Sequence, residues 1–147
     1  VDKHYKGDIR YVVETYFENM ANMIDLGGFD FVGHPDKISM NASAYAPGIT
    51  ESKWYKEIVS DYFRFIAKKR VMLEVNTKAY SSYTYLFPNS QHFKTLKELN
   101  IPLVVNSDAH IPSLMKSGFK EAYALLKEAG YKNTMQLTAG EWVENPL

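Results

Sequence analysis

There is no cysteine among the 147 residues, which excludes a disulfide framework and any thiolate chemistry. Long apolar runs are missing as well. None approaches the roughly 18 residues of a membrane span, and no segment is laid out as a signal peptide. Cytoplasm is therefore the default compartment, and no membrane partner is expected. Net charge is lacking too: 17 Lys and Arg balance 17 Asp and Glu. That balance disfavours a broad nucleic-acid surface and leaves room only for a local basic pocket. Low-complexity linkers and internal repeats are absent. What remains is an ordinary globular composition, 46% apolar and 23% charged. The length suits one domain, residues 1–147, large enough to bury a core. The chain opens at Val1 rather than at methionine, the start expected of a fragment or a processed product.

The pattern along the chain alternates between helix and strand periods. From Asp8 to Leu26 apolar residues (Val12, Val13, Phe17, Met20 and Ile24 among them) recur at helical spacing until Gly27-Gly28 stops them. Phe29 to His34 reads as a short strand that Pro35 ends. Lys37 to Ile49 is small, polar and contains Pro47-Gly48, the composition of a loop. A second helix is expected over Glu51 to Lys69, then a strand over Val71 to Thr77 and an aromatic, serine-rich loop from Lys78 to Pro88. A third helix should start at a cap, Asn89 or Ser90, with Phe93, Leu96 and Leu99 inward. Pro102 to Asn106 is the third strand, Ser117 to Ala129 the fourth helix, and Thr134 to Thr138 a last short strand. Repeated strand–helix units imply parallel strands with helices outside, and sites in such folds gather just after the strands.

Three strand ends carry unusual groups: Gly-His-Pro-Asp (His34, Asp36), Glu-Val-Asn-Thr-Lys (Glu74, Asn76, Lys78) and Asn-Ser-Asp-Ala-His (Asp108, His110). In extended chain, residues two apart project to one side, so Asp108 and His110 can converge. Imidazole and carboxylate are ordinary ligands for zinc, manganese or iron, and two ligands on one strand end with a third on another make a metal cup. The bland alternative, that each is a satisfied structural group, stays open. Glu74 lies within a strand, where alternation could aim it inward as a partner for backbone or a lysine. Ser107 reads as a turn hydroxyl, with no His–acid pair arranged to activate it. His92, beside Phe93, is expected at the surface and His4 in a solvated loop. Lys68 to Arg70 suits a helix C-terminus. Most of the 11 tyrosines belong to the core; Tyr80, Tyr83 and Tyr85 stand in the loop at the site edge.

Those residues resemble the PHP (polymerase and histidinol phosphatase) superfamily, and within it the histidinol-phosphatase group. Four segments carry the resemblance in order: Gly27 to Ile38 (GGFDFVGHPDKI), Leu73 to Tyr80 (LEVNTKAY), Leu86 to His110 ending in Ser-Asp-Ala-His, and Gly118 to Lys132. The resemblance implies a distorted (β/α)7 TIM-like barrel, of which this chain would be the C-terminal half. It implies two or three divalent transition metals (Zn, Mn or Fe) in the intact enzyme, hydrolysing L-histidinol phosphate to L-histidinol and phosphate in histidine biosynthesis. By position His34, Asp108 and His110 match metal ligands, and Lys78, with Asn76 and Tyr80 beside it, matches a phosphate-binding region. The family's opening His-x-His and its other early ligands have no counterpart here. The expectation is therefore a chain with little activity and little metal alone, partnered by a small phosphorylated substrate and by an N-terminal half or another chain. The alternatives are another PHP phosphoesterase acting on nucleotides, DNA ends or phosphotyrosine, and a non-catalytic half-barrel with vestigial metal residues.

Overall fold

The computed structural model describes residues 1–147. After a single turn, α1 (Asp2–Tyr5), the first long helix α2 (Ile9–Leu26) begins where the Asp8 carboxylate accepts the Tyr11 N–H at 2.9 Å. Its Val13, Phe17 and Ile24 are buried, and Gly27, at φ 65°, ends it. Strand β1 (Phe31–Val32) is shorter than the pattern suggested, because glycines precede it and a left-handed turn at His34 (φ 48°) follows. Helix α3 (Ile38–Tyr45) then occupies the segment expected to be a loop. Its small residues are the reason: Ser39 and Ala42 are fully buried, so the helix packs close, and Pro47-Gly48 comes after it instead of within it.

Helix α4 (Lys53–Lys69) buries Tyr55, Val59, Tyr62, Phe63 and Ile66 along one face. The apolar ones, Val59, Phe63 and Ile66, each contribute about 1.5–3 kcal/mol by burial. Strand β2 (Met72–Asn76) follows, then the one-turn helix α5 (Tyr80–Tyr83) inside the expected loop. A 3-10 turn capped by the Asn89 side chain leads into α6 (Phe93–Glu98), β3 (Leu103–Asn106) and α7 (Phe119–Glu128). Two strands close the chain, β4 (Asn133–Thr138) and β5 (Glu141–Pro146). The last was not expected, because it holds a single large apolar residue pair, Trp142 and Val143, among polar neighbours.

The strands form one sheet in the order β1-β2-β3-β4-β5. The first four run parallel, and β5 returns antiparallel to β4. The turn between them, Ala139-Gly140, has φ of 52° and 88°, the left-handed pair that a two-residue hairpin needs. Alternation divides the sheet by face. Val32, Leu73, Val75, Leu103 and Val105 join the helices in a core of 22 buried residues. Glu74 and Asn76, in register with Val104 and Asn106, face the other way. On that inner face Phe31 of β1 and Trp142 of β5 meet edge to face at 5.8 Å between ring centroids. The two outer strands of the sheet thus approach each other, and the sheet is a curled half-barrel. No helix is long and apolar enough to cross a membrane.

Candidate functional site

At the C-terminal edge of the parallel strands, side chains from three strand ends meet. His34 follows β1 and Asp108 follows β3, each in the left-handed region, at φ 48° and 45°. For residues with a Cβ that conformation costs on the order of 1–3 kcal/mol and persists only where surroundings enforce it. His34 Nε2 lies 3.2 Å from Asp108 Oδ2. The same oxygen accepts from Lys78 Nζ at 3.0 Å, and that ammonium stands 3.4 Å from His110 Nε2. His110 Nδ1 lies 2.9 Å from the Asp108 carbonyl. A carbonyl can only accept, so Nδ1 carries the proton and the Nε2 lone pair faces the lysine. Burial raises the Asp108 pKa, but the Lys78 hydrogen bond and charge, with His34 and His110, outweigh it and hold the carboxyl below its ordinary range.

His34, Asp108, His110 and Lys78 are therefore together, though not for the reason the sequence suggested. The chain is not extended from Asp108 to His110; the left-handed turn at Asp108 brings the imidazole back through its own carbonyl. Asn76 contributes from one step away: its Oδ1 accepts the Lys78 N–H at 3.0 Å and its Nδ2 donates to Glu74 at 3.1 Å. Tyr80 does not join them. It packs on the core and against Gly118, where an added Cβ would lie 2.9 Å from the tyrosine Cβ. Beside the cluster opens a cavity of about 260 Å³ lined by Lys78, Ser107, Asp108, His110, Ile111 and Leu114.

Glu74 is the residue whose role the sequence left as a generic inward partner. It is buried, at 6% exposure, and accepts from the His34 N–H at 3.1 Å, Asn76 Nδ2 at 3.1 Å and Asn106 Nδ2 at 3.0 Å. A carboxylate and two asparagines on one face of otherwise apolar strands were the available signal. Asp36, two residues beyond His34, is elsewhere: fully buried, it accepts from the Asn89 N–H at 2.9 Å and the Ser39 hydroxyl at 3.3 Å. Burial pushes its carboxyl up to about 7. His4 is exposed, as expected, but it lies in the single turn of α1 and not in a loop. His92 is half-buried, more than expected: its ring lies 5.3 Å from that of Phe63 on α4, and burial pushes its pKa down to about 4.

Whether a metal suits these residues can be tested on the geometry. Two ligands each about 2 Å from a tetrahedral ion stand roughly 3.3 Å apart, and His34 Nε2 and Asp108 Oδ2 are 3.2 Å apart. That pair fits. The third ligand does not close on it, and no group of three His, Asp or Glu side chains is positioned to hold an ion. The Lys78 ammonium instead takes the cation's part between Asp108 and His110. No protein-family model matches the chain, and no curated protein matches it either.

Proposed function

We propose that this strand-end cluster is part of a metal-dependent phosphoesterase site of the PHP type, in the histidinol-phosphatase group, carried on the C-terminal half of a distorted (β/α)7 barrel. The observation that carries the reading is the meeting of His34 and Asp108 at 3.2 Å, from different strand ends and both in a strained backbone conformation. His34 and Asp108 would hold a divalent ion of the Zn, Mn or Fe class, with His110, two residues beyond Asp108, as the third candidate ligand. When bound, such an ion supplies Lewis acidity toward a phosphoryl oxygen and lowers the pKa of a bound water. The chain's own groups do the rest. Lys78, partly exposed at the cavity mouth, meets the phosphate oxygens as a point charge. Ile111 and Leu114 give the cavity an apolar wall against which an organic group packs.

With His34, Asp108 and His110 as the only ligands, further ligands must come from another segment or chain for a cluster of two or three ions. The reading therefore expects binding of the substrate and little turnover by this chain alone. A second reading, a non-catalytic half-barrel whose metal residues are vestigial, is favoured by the Lys78 ammonium that stands between Asp108 and His110. Calorimetric titration with L-histidinol phosphate, with and without Mn2+, separates the two. Metal-dependent binding that Asp108→Ala removes supports the phosphoesterase reading. Binding that is equal with and without metal, or unchanged in Asp108→Ala, overturns it. Tighter binding of a nucleotide or of phosphotyrosine would move the proposal to another PHP phosphoesterase.

A further inference from the structure

Among the carboxylates of the cluster, Glu74 is answered by no lysine or arginine. Asp108 has the Lys78 ammonium; Glu74 has only neutral donors and the edge of the His34 ring. A buried carboxylate is costly unless its lone pairs are filled, and here three neighbouring strand ends fill them. Asn76 on β2 and Asn106 on β3 are direct partners in the sheet register, and both turn their amide nitrogens onto the same carboxylate. The third donor is the His34 N–H after β1.

We propose that Glu74 is the positioning residue of this site: its carboxylate fixes the left-handed turn at His34 and keeps the imidazole turned with Nε2 toward Asp108. The first effect is a hydrogen bond, the 3.1 Å contact from the His34 N–H that clamps a backbone conformation histidine does not favour alone. The second is electrostatic. His34 Nδ1 is 3.6 Å from Glu74 Oε2, beyond a hydrogen bond but within reach of an undiluted negative charge. The ring thus lies between two carboxylates, with Nδ1 on the buried side and Nε2 on the open side. The Tyr16 hydroxyl, donating to the His34 carbonyl at 3.1 Å, holds the same residue from the helical side. Carboxylates behind ligating imidazoles hold the ring in place, and their loss costs about 10- to 100-fold in metal affinity. What His34 is held ready for rests on the phosphoesterase reading; that it is held by Glu74 does not.

The experiment compares the 15N-labelled chain with its Glu74→Gln variant, first without metal. Glutamine keeps the shape, but its amide NH2 must face either Asn106 or the pair of Asn76 and His34 donors. The wild type should show a His34 amide protected from hydrogen exchange and a single set of ring resonances. In either orientation the variant loses the negative charge behind Nδ1 and should shift the His34 ring signals; with the NH2 turned to the His34 N–H it should also lose the amide protection by at least about tenfold, with the remaining fold intact. In a second arm, Mn2+ affinity should fall about 10- to 100-fold in the variant. An unprotected His34 amide in the wild type, or protection and affinity both unchanged in Glu74→Gln, overturns the proposal. If the wild type binds no Mn2+ while the variant still loses the His34 protection, the positioning role stands and the phosphoesterase reading falls. Should Glu74→Gln not fold, Asn106→Ala, which removes one donor from Oε1, should give a smaller change of the same kind; no change at His34 in that variant counts against the role.

Discussion

Lys78 illustrates how one side chain can oppose and assist the same site. Its ammonium occupies the point toward which Asp108 Oδ2 and His110 Nε2 are turned, so a divalent ion has to displace it. Exposed ion pairs of this kind are worth about 0.2–1 kcal/mol. Lys78→Met should therefore raise Mn2+ affinity by up to about fivefold while weakening phosphate binding, both readable by titration; a fall in metal affinity would show that the lysine supports the ion. Two other residues set the response to pH. The Asp36 carboxyl, pushed up to about 7 by burial against hydrogen bonds from Asn89 and Ser39, holds its proton more tightly in the fold than its ordinary 3.8. Its contribution to stability is full below about 3.8 and is lost as pH rises to about 7. His92, pushed down to about 4 by burial with the Glu51 charge opposing, works in the other direction. Its contribution is full above 6.5 and is lost as pH falls to about 4. Urea unfolding across this range should show the two trends partly cancelling. In Asp36→Asn stability should climb with pH toward 6.5, and in His92→Phe it should fall as pH rises from about 3.8 to about 7. Identical pH profiles in all three proteins would contradict both assignments.

At the scale of elements, the long helices α2 and α4 were legible because large apolar residues recur along them and their ends carry recognisable signals: Gly27-Gly28 after the first and the basic run Lys68 to Arg70 at the end of the second. Helix α3 was not, since its buried residues are a serine and an alanine that carry no hydrophobic signal. The hairpin strand β5 was hidden by its polar composition and by Ala139, which takes a left-handed φ of 52° more often filled by asparagine or glycine. The loop that carries Lys78 owes its place to a close approach. Thr77 Oγ1 donates to the Ser117 carbonyl at 2.6 Å, and Gly118, at φ 75°, would bring a Cβ to 2.9 Å from Tyr80 Cβ and 3.0 Å from Thr77 Cβ. Gly118→Ala thus meets both left-handed strain and overpacking, and should cost about 2–4 kcal/mol in urea unfolding. A cost under about 0.5 kcal/mol would mean the start of α7 moves freely relative to this loop.

Taken whole, the molecule is a curled five-stranded sheet with helices on one face and, on the other, a partly open face where Phe31 and Trp142 stand beside Glu74 and Asn76. The sequence foretold the helix-covered face and the strand ends that bear His34, Asp108 and His110. It did not foretell the clasp of Phe31 on Trp142, because that contact joins residues far apart through a hairpin with little apolar signal. Nor did it foretell how the cluster is held: the convergence of Asp108 and His110 comes from a turn, and the fixing of His34 comes from Glu74 across the sheet. These are long-range arrangements, invisible to periodicity. The central claim, that His34, Asp108 and His110 share one cation site, is tested most directly by titrating Mn2+ into the 15N-labelled chain and following paramagnetic broadening residue by residue. The account predicts weak binding of at most one ion per chain, broadening centred on His34, Asp108 and His110, and its loss in Asp108→Ala. Broadening centred elsewhere, broadening that survives Asp108→Ala, or two or more tightly held ions would contradict it.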